Sequence, residues 1–121
     1  MSIHYAFKPE NNVLIVETSG FDETLEEVMQ YGLSVIEEAK NGNYTRVLCN
    51  EIDLEYRLGT FDIYELAAFT ASSVSCVARV AVVCNSKFMA DAAFWETVSV
   101  NRGLEARVFK DLDKARLWLK E

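Results

Sequence analysis

The sequence is poor in the residues that interrupt or specialise a chain: its 121 residues include one proline, one histidine and five glycines. Scarce proline and a hydrophobic content of 50% argue against disordered tails and linkers, so we expect a single domain over residues 1–121. The lone histidine, His4, excludes a histidine-dependent catalytic triad and a multi-histidine metal site within one chain. The longest apolar stretch, residues 80–84, is far shorter than a membrane helix of about 20 residues, which predicts a soluble, cytoplasmic protein without integral membrane association.

Basic side chains are also few, twelve against nineteen acidic ones, and the formal net charge is −7. Phosphate backbones and anionic lipid surfaces repel such a chain, which argues against nucleic-acid binding. The three cysteines, Cys49, Cys76 and Cys84, lack CxxC spacing, so we expect reduced thiols. The glycine-rich nucleotide-binding motifs and the GxSxG motif of hydrolases are missing as well. We therefore expect no cofactor and no bound metal.

Three apolar segments begin with the same Arg-Val dipeptide, at Arg46, Arg79 and Arg107. Their continuous apolar runs are typical of strands that are buried on both faces, and helix-patterned sequence separates each segment from the next. This alternation predicts parallel strands joined by helices, with the three arginines at one edge of the sheet. The opposite edge, where open α/β sheets usually bind ligands, then carries Cys49, Asn50, Cys84, Asn85, Lys110 and Asp111.

The N-terminal part of the chain predicts an antiparallel hairpin. Two strand-like runs, residues 3–7 and 13–17, are joined by the turn-rich residues 8–12, which include the proline. The whole pattern predicts a single-domain, two-layer α/β sandwich with about four helices. Its mixed sheet of five strands combines the hairpin with the parallel strands. The order of the strands in the sheet does not follow from the sequence.

Capping residues mark the starts of the four predicted helices. The first helix has an apolar stripe opposite an acidic face, as surface helices do, and it ends at the Lys40-Asn41-Gly42-Asn43 cluster. The second runs to about residue 74, and the third covers residues 87–101. The predicted caps are, in order, Asp22, Thr60 or Asp62, Ser86, and Asp111.

The least regular segment, residues 51–60, is our first choice for a site, because long connections at the carboxyl edge of a buried strand often carry function. Its carboxylates, Glu51, Asp53 and Glu55, lack the spacing of a calcium loop. Alternation along an extended segment also points Asp53 away from the other two, which favours a solvated acidic loop over a cation site. Thr60, at the end of the segment, is a candidate for phosphorylation or for helix capping.

The second and third predicted helices are apolar on all sides. Short helices of this kind are covered by the protein's own core, by a second subunit or by an apolar ligand, and the pattern alone leaves these three alternatives open. The large side chains that decide between them are Phe61, Tyr64, Phe88, Phe94 and Trp95.

Two cysteines, Cys49 and Cys84, end predicted buried strands, and each is followed by asparagine. If the strands are neighbours, the two thiols approach each other, and a helix that starts after Ser86 lowers the pKa of Cys84. The alternative is that both act as small buried hydrophobic residues, as cysteine does in most cores.

The order of elements resembles that of the SpoIIAA-like family, small domains related to the STAS regulators (anti-anti-sigma factors) and more distantly to the lipid-binding Sec14 fold. The resemblance covers nearly the whole chain and rests on the RVLCN, RVAVVCN and RVF strands and on the closing DLDKARLWL helix. STAS phosphoswitches carry an Asp-Ser-Ser-Gly stretch after a central strand. Here that place holds Cys49-Asn50-Glu51, and the next helix starts at Leu58-Gly59-Thr60. The phosphoacceptor motif is therefore missing, Thr60 matches it by position only, and no catalytic residue is carried over.

Three hypotheses for function follow. The first is a non-enzymatic regulatory or protein-interaction module that forms a homodimer. Its contact surface consists of residues 51–60 together with the second and third helices. The second is a carrier that holds a small apolar or lipid-like ligand in a pocket between the sheet and the aromatic helices, as the Sec14 likeness implies. The third is a thiol-based redox sensor that uses Cys49 or Cys84.

Overall fold

A computed structural model describes residues 2–121 as a mixed sheet of five strands with four α-helices, which confirms the predicted α/β class. No helix in this described part of the chain is both long and apolar enough to cross a membrane. The elements are β1 (Ile3–Phe7), β2 (Val13–Phe21), α1 (Leu25–Asn41), β3 (Arg46–Glu55), α2 (Thr60–Ser73), β4 (Arg79–Cys84), a 3₁₀ turn (Ser86–Phe88), α3 (Met89–Asn101), β5 (Ala106–Phe109) and α4 (Leu112–Lys120).

The spatial order of the strands is the same as their order in the chain, β1-β2-β3-β4-β5. The hairpin pairs β1 with β2 in antiparallel fashion, and β2 through β5 run parallel. In the register of the central strands, Leu48 lies opposite Ala81, and Val82 lies opposite Val108. The predicted parallel alignment of the three Arg-Val strands is therefore confirmed, and the strand order, which the sequence left open, is the simplest one.

Helices cover both faces of the sheet, so the structure has a third, partial layer in addition to the two predicted. One face packs against α1, α2 and α3, and its core includes Val16, Val47 and Val82. The other face carries Leu48 and its neighbours, and within residues 2–121 the helix that packs against it is α4. The prediction of two layers was incomplete because central parallel strands are apolar on both sides and need a cover on each.

Strand β3 extends well beyond its apolar run at residues 47–49, and this overturns the prediction of an acidic loop at residues 51–60. The strand continues to Glu55 because β2 continues to Phe21 and pairs with it, with a register shift between Glu17 and Ser19. Backbone pairing with β2 keeps residues 51–55 extended, although their alternating acidic and apolar side chains are not typical of a strand buried on both faces. The connection to α2 is therefore only residues 56–59.

The position of Asp22 predicted that it caps the first helix, and this prediction was wrong. Thr24 caps this helix instead: its side-chain oxygen accepts a hydrogen bond from the Glu27 backbone N–H at 3.2 Å. The Asp22 carboxylate turns to the β3–α2 connection, where Oδ1 accepts from the N–H groups of Arg57 and Leu58 at 2.5 and 3.1 Å. Asp22 thereby links the end of β2 to the start of the second crossover.

Two of the other predicted caps were also wrong. Helix α2 begins after Gly59 without a capping side chain, so neither Thr60 nor Asp62 acts as its N-cap. The 3₁₀ turn is capped by Asn85 instead of Ser86. Caps at adjacent polar residues are hard to tell apart, because each polar side chain can satisfy the same free N–H groups. The cap at Asp111, and the end of the first helix at Gly42, are confirmed.

Two of the three Arg-Val arginines hold the C-terminus of α4. Arg79 Nη1 donates to the Trp118 carbonyl at 2.7 Å, and Arg46 Nη1 donates to the Leu119 carbonyl. The last carbonyls of a helix have no partner within it and form its negative end, so guanidinium groups stabilise them. Arg107 pairs with Ala81, which lies two residues after Arg79 on β4. The guanidinium of Arg107 lies over the Phe109 ring, 5.7 Å from the ring centroid.

The substitution Arg79→Met should lower the free energy of unfolding by about 2 kcal/mol, because a charged hydrogen bond to a helix end is lost while the apolar stem is kept. Arg107→Met, which removes the same charge from an arginine that contacts no helix end, should change it by less than about 0.5 kcal/mol. Urea denaturation followed by circular dichroism measures both. Equal losses in the two variants would show that docking of α4 does not depend on Arg79.

Candidate functional site

A cavity of about 130 Å³ lies between the sheet and the three helices α1, α2 and α3. Its wall is mostly aliphatic, with side chains from every one of these elements. An apolar cavity of about 150 Å³ in another protein stays free of water and binds benzene, so a cavity of this size is large enough for a small organic molecule. The aliphatic wall includes Val35, Val47, Ile63, Val80, Val82 and Val108.

Small residues on the helices leave this space unfilled. Gly32 on α1 and Ala92 on α3 both line the cavity, in elements where larger side chains would reach the sheet. A Cβ atom added to Gly32 would have no neighbouring atom within 4 Å. Glycine also costs a helix interior about 1 kcal/mol relative to alanine. Glycine at position 32 therefore makes α1 less stable than alanine would, and it leaves the cavity unfilled at this point.

The cavity has a polar part built around Glu51, whose side chain is buried between β3 and α1. Its carboxylate accepts hydrogen bonds from the Tyr31 hydroxyl at 2.9 Å and from the Tyr56 hydroxyl at 2.5 Å. The Tyr31 hydroxyl is also 2.9 Å from Thr18 Oγ1, which donates to it. Helix α1, two strands and the β3–α2 connection are thus joined through one carboxyl group.

Two further carboxyl groups, those of Asp22 and Asp91, line the same cavity. Burial raises the pKa of Glu51, and the negative charge of Asp22 adds to this, while the tyrosine hydrogen bonds oppose it. Burial likewise raises the pKa of Asp22 against the effect of its two backbone hydrogen bonds, and the charge of Asp91 raises it further. Within residues 2–121, none of the side chains that line the cavity is a lysine, an arginine or a histidine.

The two strand-end thiols are not activated. Cys49 lines the cavity and Cys84 lies opposite Glu51 on the neighbouring strand. Burial, followed by the negative charge of Glu51, raises the pKa of Cys49, and the same causes raise that of Cys84 to about 11. The expectation that a helix start lowers the pKa of Cys84 was wrong, because burial beside a carboxyl group outweighs it. Both thiols are protonated at neutral pH, which removes the basis of the redox hypothesis.

A metal centre also finds no support in the residues that the structure describes, because they contain no group of three or more histidine, cysteine, aspartate or glutamate side chains that could hold an ion. The three cavity carboxyl groups are not gathered around one point. The polar part of the cavity is therefore a set of hydrogen-bonding and charged groups spread over a wall.

Comparison with known proteins defines the fold. No protein-family model and no curated protein matches the sequence. Among solved structures, the chain is similar to an anti-sigma factor antagonist from Mycobacterium paratuberculosis, with a TM-score of 0.68 and 15% identity over 99% of this chain and 96% of that one. It is also similar to an uncharacterised protein from Shewanella loihica with a SpoIIAA-like fold, with a TM-score of 0.58 and 18% identity over 98% of this chain and 94% of that one.

The chain has a SpoIIAA-like fold. The resemblance inferred from the RVLCN, RVAVVCN and RVF strands is confirmed at this level, since the similarity to both solved structures extends over nearly the whole length.

Of the site residues predicted from the sequence, Glu51 and Trp95 are brought together in the wall of the cavity. Asp53 is exposed on β3, and Glu55 forms an ion pair with Arg57 outside the cavity. The structure thus separates the three acidic residues of the expected loop, and only the first faces the interior of the SpoIIAA-like domain.

The aromatic residues also divide into two groups. Phe88 packs against Tyr56 with ring centroids 5.6 Å apart, and Phe94 packs against the core. Phe61 and Tyr64 lie on the outer surface of α2 with 74% and 41% of their area exposed. Thr60 precedes them, exposed at the first position of the same helix. Its phosphorylation stays a prediction.

Sequence reasoning missed Asp22, Tyr31, Tyr56 and Asp91 as site residues. Asp22 was interpreted as a cap, and Tyr56 was hidden in the expected loop. Tyr31 carried a usable signal: it lies three residues after Val28 and four before Val35, on the buried side of α1, where a hydroxyl group needs a polar partner.

The Glu51→Gln variant should become more stable relative to the natural protein as the pH rises. The pKa of Glu51 is raised above its ordinary value of 4.5, so the folded state binds the proton more tightly than the unfolded chain. Stability from this group is present below about pH 4.5 and is lost at higher pH, by about 1.4 kcal/mol for each unit of pKa increase. Glutamine does not titrate and escapes this loss.

Urea denaturation of both proteins at pH 4 and pH 7.5 measures the effect. The difference in unfolding free energy between variant and natural protein should shift in favour of Glu51→Gln at the higher pH, even if the variant loses one tyrosine hydrogen bond at both. Glu37→Gln, at an exposed position of α1, removes the same charge and is the control. A difference that does not change with pH would contradict the assignment.

Proposed function

We propose that this protein is a non-enzymatic regulatory module that binds a small apolar molecule in the cavity between its sheet and α1–α3. The cavity is the observation that carries the proposal. A regulatory role is supported by the SpoIIAA-like fold, which the chain shares with a solved anti-sigma factor antagonist. The free thiols of Cys49, Cys76 and Cys84 are in keeping with a reducing compartment such as the cytoplasm.

Size and wall chemistry define the ligand. A cavity of about 130 Å³ takes a molecule with roughly one aromatic ring or six to eight non-hydrogen atoms, by comparison with the benzene-binding cavity of about 150 Å³. Valine, isoleucine and leucine side chains such as Val80 and Ile63 give water no hydrogen-bond partner there. An apolar ligand therefore gains the full benefit of leaving water without displacing tightly held water molecules.

The position of the cavity gives binding a route to regulation. Its wall includes residues from α1, α2 and α3, so a ligand touches all three helices of one face at once. A molecule that binds the folded state stabilises it and fixes the spacing of these helices. With the ligand bound, the outer surfaces of α2 and α3 have one fixed relative position, which a partner protein can recognise.

Filling the cavity from Gly32 tests this proposal. Gly32→Leu should place its side chain into the open space, stabilise α1 and abolish binding of hexanol, a neutral probe of the expected size. Gly32→Ala is the matched control, because it should stabilise the helix by about 1 kcal/mol and leave most of the cavity open for hexanol.

Chemical-shift perturbation in two-dimensional NMR spectra measures hexanol binding, and thermal unfolding measures stability. The expected result is saturable shifts in the natural protein and in Gly32→Ala, with none in Gly32→Leu. Absence of saturable shifts in the natural protein would overturn the proposal.

A second candidate function is self-association: the exposed aromatic residues of α2 favour formation of a homodimer. Phe61 is 74% exposed, and the hydroxyl of the neighbouring Tyr64 accepts a hydrogen bond from Arg102 at the end of α3 at 2.7 Å. A large aromatic side chain beside a polar rim is typical of an interface centre, and a second copy of the chain offers the same surface in return.

We propose that modification of Thr60, one residue before Phe61, acts on this contact.

The Phe61→Ser variant should weaken dimerisation at least tenfold, as expected for loss of an aromatic residue at an interface centre. Leu117→Ser is the control, because Leu117 is 63% exposed but lies on α4, on the opposite face of the sheet. Sedimentation velocity over a range of concentrations gives the dissociation constants. A natural protein that stays monomeric at millimolar concentration would end the dimer proposal.

A further inference from the structure

We propose that the ligand carries a positive charge: a small apolar amine whose ammonium group lies in the part of the cavity that is lined by the carboxyl groups of Asp22, Glu51 and Asp91, in contact with one or two of them at a time. This inference rests on the proposed function and adds the chemical class of the ligand. The geometry points to it because all three carboxyl groups line a cavity that has no basic side chain in its wall among residues 2–121.

Among residues 2–121, none of the three carboxyl groups forms an ion pair with a basic side chain. The ion pairs of the described residues lie elsewhere, between Arg57 and Glu55, Arg79 and Glu105, and Arg116 and Glu10. The charge of Arg57 lowers the pKa of Asp22, but the guanidinium itself forms an ion pair with Glu55 and lies over the Phe21 ring, 3.8 Å from the ring centroid. Its charge is thus directed to the outside of the domain.

The carboxyl groups also have hydrogen-bonding capacity to offer. Both backbone N–H groups that bind Asp22 go to Oδ1, which leaves Oδ2 for a ligand. Glu51 accepts one hydrogen bond at each oxygen, from Tyr31 and Tyr56, and a carboxylate oxygen can accept a second. An ammonium group has three donors, so it can bind the free acceptor positions of the carboxyl group that it contacts.

Electrostatics favour a cation over the alternatives. The carboxyl groups of Asp22, Glu51 and Asp91 are close enough that the charge of one raises the pKa of another. A ligand cation relieves this repulsion in a poorly solvated site, where charges interact strongly. A fatty acid or another anionic amphiphile would instead add a fourth negative group with no basic side chain to receive it.

The position in the fold agrees with this orientation. Asp22 directly follows β2, Glu51 lies in the second half of β3, and Asp91 is in the first turn of α3 after β4. The polar groups therefore occupy the carboxyl ends of the parallel strands, where open sheets bind the polar parts of their ligands. The aliphatic wall near Val47 and Val80, at the starts of the strands, is left for the apolar part.

Three probes with the same carbon chain test the inference: hexylamine, hexanol and hexanoate, titrated at pH 7.5 and followed by NMR chemical shifts. Hexylamine should bind at least about tenfold more tightly than hexanol, the gain expected from a charge-assisted hydrogen bond, and hexanoate should not bind. If hexanol binds and hexylamine binds no more tightly, or if hexanoate binds best, this inference is wrong and the proposed function stands. If none of the three binds, both fall.

Variants separate the charge from the shape of the cavity. Asp91→Asn should weaken hexylamine binding about threefold or more and leave hexanol binding unchanged, since one full charge is removed from the wall. Asp22→Asn, which keeps an oxygen to accept from Arg57 and Leu58, should act in the same way. Asp53→Asn removes an equal charge at an exposed position outside the cavity and should affect neither probe. Equal weakening of both probes by the two cavity variants would overturn the inference.

Discussion

The parallel pairing of β2, β3, β4 and β5 in chain order is the constraint from which the rest of the architecture follows. Each step between neighbouring parallel strands needs a crossover, and crossovers of one hand that all step in one direction lie on the same face of the sheet. Helices α1, α2 and α3 accordingly share one face. The other face has no crossover to cover it and depends on α4. The asymmetry of the layers is thus a consequence of strand order.

The same constraint explains why the cavity and the buried carboxyl group occur together. Three helices must span the whole face of the sheet, and small residues such as Gly32 and Ala92 keep them from closing completely over β3 and β4. Glu51 then lies at the junction of α1, β3 and the β3–α2 connection. Its two tyrosine partners come from different elements, so the hydrogen bonds hold the helical layer in place at the polar end while the apolar end stays unfilled.

Much of this fold could be predicted from the sequence, because each central strand is a short apolar run with a polar residue at its start. The bounds of β1 and β4 and the cap at Asp111 follow from such local patterns. The second half of β3 could not be predicted, because Glu51 and Asp53 are held in a strand by pairing with distant β2. Tertiary pairing overrides local preference there.

The candidate site was less predictable than the fold for a related reason. Glu51 was singled out as part of an acidic loop, yet its significance comes from burial beside Tyr31, twenty residues away on α1. Asp22 and Asp91 come from two other elements and meet Glu51 only in the folded chain. A cavity is a property of packing, and no spacing of residue types along one segment indicates it.

The hydrogen bonds from Arg46 and Arg79 to the end of α4 have a consequence for the solubility of the protein. Helix α4 packs over the apolar strip of Ile15, Leu48 and Val83, so any opening of residues 112–120 exposes this strip to water. Transiently exposed apolar surface of this kind promotes aggregation. The two guanidinium groups, at the amino ends of β3 and β4, therefore oppose aggregation by holding the helix in place.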